Sequence, residues 1–108
     1  MAIVNVARDF SPFLGGRIPE HGEFNGQEFR DKFLIPPIQA GNGVCVNFDG
    51  VVGLPSSFLE EAFGGLVRLG FLHNMNEFRR LVRVVAESPS ISNAPRLVER
   101  YVRDALKH

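Results

Sequence analysis

The stretch that decides the fold is residues 44–69, which read VCVNFDGVVGLPSSFLEEAFGGLVRL. Its beginning belongs to a short apolar run, residues 43–48, which predicts a strand covered on both faces. Asp49-Gly50 then predicts a turn. Apolar residues recur at helical spacing further on, and Gly70 is expected to end that helix. Those residues are Phe58, Leu59, Ala62, Phe63, Leu66 and Leu69.

Similar patterns lie on both sides of this stretch. Residues 3–7 and 81–86 are rich in β-branched residues and predict two further strands. Asn25, with Glu28 three residues later, predicts the capped start of a helix that Pro36-Pro37 stops or kinks. The last helix is predicted to open near residues 92–95. Strands separated by helices at this spacing favour parallel neighbours.

Two segments are predicted to lack long regular structure. Residues 9–25 are dense in proline and glycine, which predicts turns or a short irregular hairpin, the hairpin with a second strand near Arg17-Ile18. His73, Asn74 and Asn76 predict a polar loop after the central helix. We therefore expect one small α/β domain over residues 1–108, a mixed and mostly parallel sheet with about three main helices packed on it.

Composition narrows the possible functions. Twelve basic residues balance twelve acidic ones, so the chain lacks the long-range field that attracts nucleic acid or an anionic membrane, and neither is expected as a partner. The only cysteine, Cys45, lies in an apolar run and is expected to be an inert core thiol in a reducing compartment. With no run long enough for a membrane helix and no signal peptide, we expect a cytoplasmic protein.

The start of the central helix carries the most informative chemistry. Ser56 or Ser57 is expected to cap it, with Glu60 at the capping-box spacing from Ser57. Backbone N–H groups without partners make such a start favourable for a phosphate or a carboxylate. Gly64-Gly65 inside the helix indicates close backbone packing on the sheet or on a neighbouring element.

Simpler interpretations stand beside this one. The serines are expected somewhat more often to be a plain N-cap pair than a regulated site, and Glu60-Glu61 usually complements the helix dipole. His21, His73 and His108 lack metal-ligand spacing, so no metal or other cofactor is expected. A catalytic triad could be written from Ser57, His73 and Asp49, but the sequence has no nucleophile-elbow pattern around the serine. A small hydrolase is therefore the least favoured of three functions considered. Another hypothesis is an acidic partner for Arg68, Arg79, Arg80 and Arg83.

Several motifs in order resemble a known family. Residues 47–58 resemble the strand, loop and helix start of STAS domains, the anti-sigma-factor antagonists. The closer resemblance is to a STAS-like domain family of unknown function, and it extends from about residue 9 to 105. Its features here are Gly15-Gly16-Arg17, Gly26-Gln27-Glu28-Phe29-Arg30, Leu34-Ile35-Pro36-Pro37, Asp49-Gly50 and residues 56–66.

This resemblance implies a non-enzymatic regulatory module that binds a protein partner, either a histidine-kinase-like ATPase or a serine kinase. It also implies phosphorylation of Ser57, although Pro55 and Phe58 depart from the STAS pattern of an acid before the serines and a glycine after them. The expected binding surface comprises Arg17, Asp49, Gly53, Ser56, Ser57, Phe58, Glu60 and Glu61. The alternative is a structural subunit whose phenylalanine-rich central helix packs against a copy of itself in a homodimer.

Overall fold

A computed structural model describes all 108 residues, 1–108. Three strands form one sheet in the order β1 (Ala2–Asn5), β2 (Val44–Asn47) and β3 (Val82–Val85). Both neighbouring pairs are parallel, with Ile3 beside Cys45 and Cys45 beside Arg83. The α/β class is confirmed, and the sheet is entirely parallel rather than mixed.

Five helices accompany the three strands. The three long ones are α2 (residues 26–39), α3 (residues 56–68) and α5 (Ala94–Leu106), which correspond to the three main helices predicted. The short ones are α1 (Val6–Asp9), directly after β1, and α4 (Met75–Leu81), directly before β3. Single 3₁₀ turns occupy Pro19–His21 and Pro89–Ile91.

Helix α2 begins as predicted and then continues through its two prolines. The Asn25 side chain accepts a hydrogen bond from the Glu28 N–H at 2.9 Å. A proline ring clashes with the carbonyl one turn earlier in a regular α-helix. Here the turn Arg30–Leu34 is a wider π turn, which leaves room for the rings of Pro36 and Pro37, and the helix reaches Gln39. The prolines therefore distort the helix without stopping it.

Two segments differ from expectation. Residues 15–18 form no strand. Three backbone hydrogen bonds join Gly15 to Phe24, Gly16 to Gly26 and Arg17 to Gln27, and Pro19–His21 turns the chain between the two segments. Residues 75–81, part of the predicted polar loop and third strand, form α4. Its N-cap is Asn74, whose side chain accepts from the Glu77 N–H at 2.8 Å, and the strand begins at Val82.

Only one face of the sheet is covered. The helices pack against the face that carries Val4, Val44, Val46 and Val82, all of which are buried. On the opposite face Ile3 is 75% exposed, Arg83 is exposed and Cys45 is half-buried. The prediction of a strand covered on both faces is therefore wrong, and so is the placement of the Cys45 thiol in the core.

Candidate functional site

The loop between β2 and α3 is fixed at its start and open at its end. The Asn47 side chain accepts from the Asp49 N–H at 2.8 Å, and Gly50 has a φ of 101°, a left-handed conformation that glycine adopts at little cost. Gly53 is exposed, with open space around it. Pro55 then holds extended backbone angles and occupies the N-cap position of α3. The loop thus delivers the helix start to the protein surface.

The two serines do not cap this helix. Ser56 and Ser57 are its first two residues, and no side chain makes a capping hydrogen bond. The prediction of a serine cap is wrong, because Pro55 already takes the cap position and the serines lie inside the first turn. Ser56 is exposed and Ser57 is half-buried, and no side chain satisfies the backbone N–H groups of this first turn.

Phe58 faces the opposite way from this surface. Its side chain is fully buried, with its ring centroid 5.6 Å from that of Phe29 and 6.3 Å from that of Phe10. Phe63, one turn further on, is also fully buried. Phe58 therefore does not belong to the predicted binding surface. The phenylalanines of α3 fill this chain's own core and are not displayed for a second copy.

Glu60 and Glu61 are the centre of an ion-pair network with three arginines, which we call the Glu60–Glu61 network. Arg17, in the segment of residues 9–25, bonds Glu60 and lies 3.4 Å from Glu61. Arg68 approaches Glu60 to 2.6 Å, and Arg30 of α2 approaches Glu61 to 2.6 Å. Glu60 is thus occupied by arginines and does not form the predicted capping box with Ser57.

The pKa values of two members of this network, Glu60 and Arg17, are shifted by their neighbours. Burial alone would raise the pKa of Glu60, but hydrogen bonds and charge from Arg68 and Arg17 outweigh it and hold that pKa below its ordinary value. The hydrogen bond to Glu60 in turn raises the pKa of Arg17. With three arginines around two carboxylates, the helix face after Ser57 carries no net negative charge that would repel an anion.

Gly64 and Gly65 make room for this network. A Cβ atom on Gly64 would lie 2.4 Å from Oε2 of Glu60, and one on Gly65 would lie 2.6 Å from Nη1 of Arg30. The close packing predicted for the two glycines is present, but the neighbours are charged side chains and not the sheet. Helix α3 also widens into a π turn at Glu60–Gly64, opposite the π turn of α2.

Asp49 has a structural partner rather than a free carboxylate. Its Oδ1 accepts from the N–H groups of Glu87 and Ser88 at 2.8 and 2.9 Å, which ties the end of β2 to the segment after β3. The hydrogen bond from the Ser88 backbone is the main cause that lowers the pKa of Asp49. Asp49 therefore has a structural role, because it fixes the loops at the carboxyl ends of β2 and β3 relative to each other.

An exposed apolar pair beside the loop was not predicted from the sequence. Val52 is 69% exposed and Phe13 is 68% exposed. The Val52 N–H donates to the Pro12 carbonyl at 2.8 Å, so the two loops touch. The buried Ser11 hydroxyl bonds both the N–H and the carbonyl of Phe13, at 2.9 and 3.0 Å, which holds Phe13 in place. The Ser11-Pro12 pair was the available signal for such a turn.

The other residues singled out in the sequence do not form a second site with these. The His73 ring lies 2.9 Å from Glu77, and Asp49 is engaged as described, so neither supports a triad with Ser57. No group of three or more metal-ligating side chains occurs. An open cleft of about 380 Å³ lies between α3 and the end of α5, lined by Glu60, Val67, Arg68, Asp104, Ala105 and His108. None of the helices has the length and apolarity to cross a membrane.

Comparison with known proteins gives one match. Residues 25–91 match the sequence model of a family described as a STAS-like domain of unknown function (DUF4325). The match runs from the cap of α2 to the 3₁₀ turn after β3, a narrower range than the resemblance noted above, and it includes the β2–α3 loop. No curated protein and no solved structure matches the chain.

Proposed function

This chain belongs to the STAS-like domain family, and we propose that it is a non-enzymatic regulatory module that binds a protein partner through residues 53–57. In this proposal Ser57 is the regulated position and its phosphorylation weakens binding. The partner is a histidine-kinase-like ATPase or a serine kinase, by analogy with the anti-sigma-factor antagonists, and binding takes place in the cytoplasm.

The observation that carries the proposal is that neither serine serves the helix as a cap. A capping hydroxyl is committed to a backbone N–H, and its loss costs about 1 kcal/mol. Ser56 and Ser57 make no capping hydrogen bond, because Pro55 takes the cap position. The simpler interpretation of the pair as structural is therefore weakened, and a surface role is favoured.

The surroundings of Ser57 suit a charge-controlled surface. A phosphoserine carries a charge of about −1.5 to −2, which the N-terminus of a helix stabilises. Glu60 and Glu61 would oppose it if they were free, but both are paired with arginines. A phosphate at this position would also change the electrostatics of any partner contact made by residues 53–57.

Exposed apolar residues beside the loop support docking of a protein. Val52 and Phe13 lie on adjacent loops that hydrogen bonds hold in place. Aromatic residues are enriched at protein interfaces. We propose that these two residues form the apolar edge of the binding surface, with Gly53, Ser56 and Ser57 at its centre.

The test is affinity capture from the native host with wild type, Ser57→Ala and Ser57→Glu, followed by mass spectrometry and phosphosite mapping. Wild type and Ser57→Ala should recover the same ATPase, and Ser57→Glu should recover much less of it. Ser90→Glu is the charge-matched control, since Ser90 is exposed and lies outside the loop. Equal recovery by Ser57→Glu and wild type, or no phosphate on Ser57, would count against the proposal.

A further inference from the structure

The uncovered face of the sheet is a second surface, separate from residues 53–57. Parallel sheets are almost always covered by helices on both faces, because their strands are apolar on both sides. Here the central row of one face is only partly covered, since Ile3 is 75% exposed, Arg83 is exposed and Cys45 is half-buried. The residues toward the carboxyl edge of the same face are Asn5, Asn47 and Val85, all half-buried. This face is therefore more exposed than the faces of an ordinary parallel sheet.

Arg83 is the only charged residue of this face within the strands, and it lacks a partner. Arg83 forms no ion pair, whereas most other arginines of the chain do, including Arg79 with Glu99 and Arg103 with Glu99. An exposed guanidinium beside Ile3 and Cys45 adds one positive charge to an otherwise neutral apolar row. A partner that covers the row must therefore present a carboxylate to Arg83 or bury its charge unpaired at high cost.

The size of the face decides what can cover it. Three strands about 4.8 Å apart and four residues long make a face of roughly 14 by 13 Å. A stable dimer interface buries about 800 Å² on each subunit, several times this area. An α-helix about 10 Å wide covers the face with a few turns. A second copy is disfavoured further because its own face carries no carboxylate within the strands to meet Arg83.

We propose that this face binds an amphipathic helix of a partner protein, with apolar residues on Ile3 and Cys45 and a carboxylate on Arg83. The small area makes the contact reversible. It acts in addition to the surface at residues 53–57 and does not depend on Ser57, so each surface can be disabled while the other remains.

Alkylation of Cys45 can report whether the face is covered, because this only thiol of the chain lies in the middle of the face. The rate of alkylation by N-ethylmaleimide is compared between the purified protein and intact host cells. The reference within the same chain is the thiol introduced by Leu69→Cys, at an apolar position that is 54% exposed and lies outside the sheet. We expect the ratio of the Cys45 rate to the reference rate to fall at least fivefold in the cell.

Variants at two arginines define the chemistry of the contact. Arg83→Glu should abolish the protection of Cys45, while Arg83→Lys should retain it. Arg80→Glu is the matched control, since Arg80 is exposed and unpaired but lies on α4, and it should leave the protection unchanged. Protection that survives Arg83→Glu, or an equal rate ratio in the cell and in the purified protein, would overturn the proposal.

Carbodiimide cross-linking of Arg83→Lys in a cell lysate then identifies the covering segment. The lysine amine should couple to an Asp or Glu that has apolar neighbours three and four residues away in its sequence, as an amphipathic helix requires. Two other outcomes would overturn the proposal. One is coupling to a segment without that pattern, and the other is protection of the purified protein that grows with its concentration, which would indicate a second copy.

Discussion

At the scale of single residues, Arg30 is a buried arginine that joins two helices. It is 8% exposed, and it bonds the carboxylates of Glu61 and Asp31 at 2.6 and 2.9 Å. The same guanidinium donates to the Glu61 carbonyl at 3.3 Å. Arg30 therefore links α2 to the π turn of α3, and the glycine at position 65 keeps the space that the guanidinium occupies.

Arg30→Met should lower the free energy of unfolding by about 3 kcal/mol, because it leaves the largely buried Glu61 carboxylate without its closest partner. Arg68→Met is the matched control in the same network. Since the Arg68 side chain is 45% exposed, its loss should cost less than about 1 kcal/mol. Urea denaturation of the two variants measures the difference, and equal losses would show that Arg30 is not the structural link described.

At the scale of elements, α3 and α4 differ in whether side chains accept hydrogen bonds from the first backbone N–H groups of the helix. Helix α4 has a side-chain cap from Asn74, and the Glu77 carboxylate reaches back to the His73 N–H at 2.6 Å. Helix α3 starts at Pro55 without any side-chain cap. Helix α4 is therefore stabilised by its own sequence, while the start of α3 remains open for an external group.

Asn74→Ala should cost about 1 kcal/mol of stability, the usual loss for an N-cap. Ser56→Ala and Ser57→Ala should each stay within about 0.5 kcal/mol of wild type, as expected for residues that make no structural bond. Thermal unfolding of the three variants provides the comparison. A loss for Ser57→Ala as large as that for Asn74→Ala would mean that the serine caps the helix after all.

Local patterns made most of the elements predictable. The three β-branched runs became the three strands, and the Asn25 cap with Glu28 marked the start of α2. Helix α4 carries the same signal, Asn74 with Glu77, but the neighbouring polar residues favoured a loop and the helix was missed. Pro55 at the cap of α3 was visible in the sequence, yet serine is so common at helix starts that the serines were favoured.

Features that depend on distant contacts were not predictable from one sequence. Gly65 leaves space for the guanidinium of Arg30, which lies on another helix, and no local sequence pattern indicates that these two residues are in contact. The uncovered face was missed because Val44, Cys45 and Val46 are all apolar, which is typical of a strand covered on both sides. Phe13 lies in a stretch whose course depends on the hydrogen bond between the Pro12 carbonyl and the Val52 N–H, so the exposure of Phe13 could not be anticipated.

At the scale of the whole molecule, acidic groups are stabilised in their charged form. The pKa values of Glu60 and Asp49 are lowered as described, and hydrogen bonds from Arg8 and from the His73 backbone lower those of Asp9 and Glu77 respectively. A lowered folded pKa gives stability that is present above the unfolded pKa, about 4.3 for glutamate, and is lost as the pH falls through the folded value. The fold should therefore weaken in acid.

The free energy of unfolding should stay nearly level from about pH 7 to 5 and fall below about pH 4.5. Glu60→Gln should be less stable than wild type at neutral pH, because Arg17 and Arg68 lose their charged partner, but its further loss in acid should be smaller. Urea denaturation at a series of pH values measures both curves. Parallel acid slopes for the two proteins would exclude Glu60 as a contributor.

The central claim is that charge at Ser57 controls binding by residues 53–57, and a calorimetric titration of the recovered ATPase tests it most directly. We predict that Ser57→Glu raises the Kd at least tenfold relative to wild type, while Ser90→Glu leaves it unchanged. A Kd for Ser57→Glu equal to that of wild type would contradict the claim. The fold and the family membership would then still hold, but regulation through Ser57 would not.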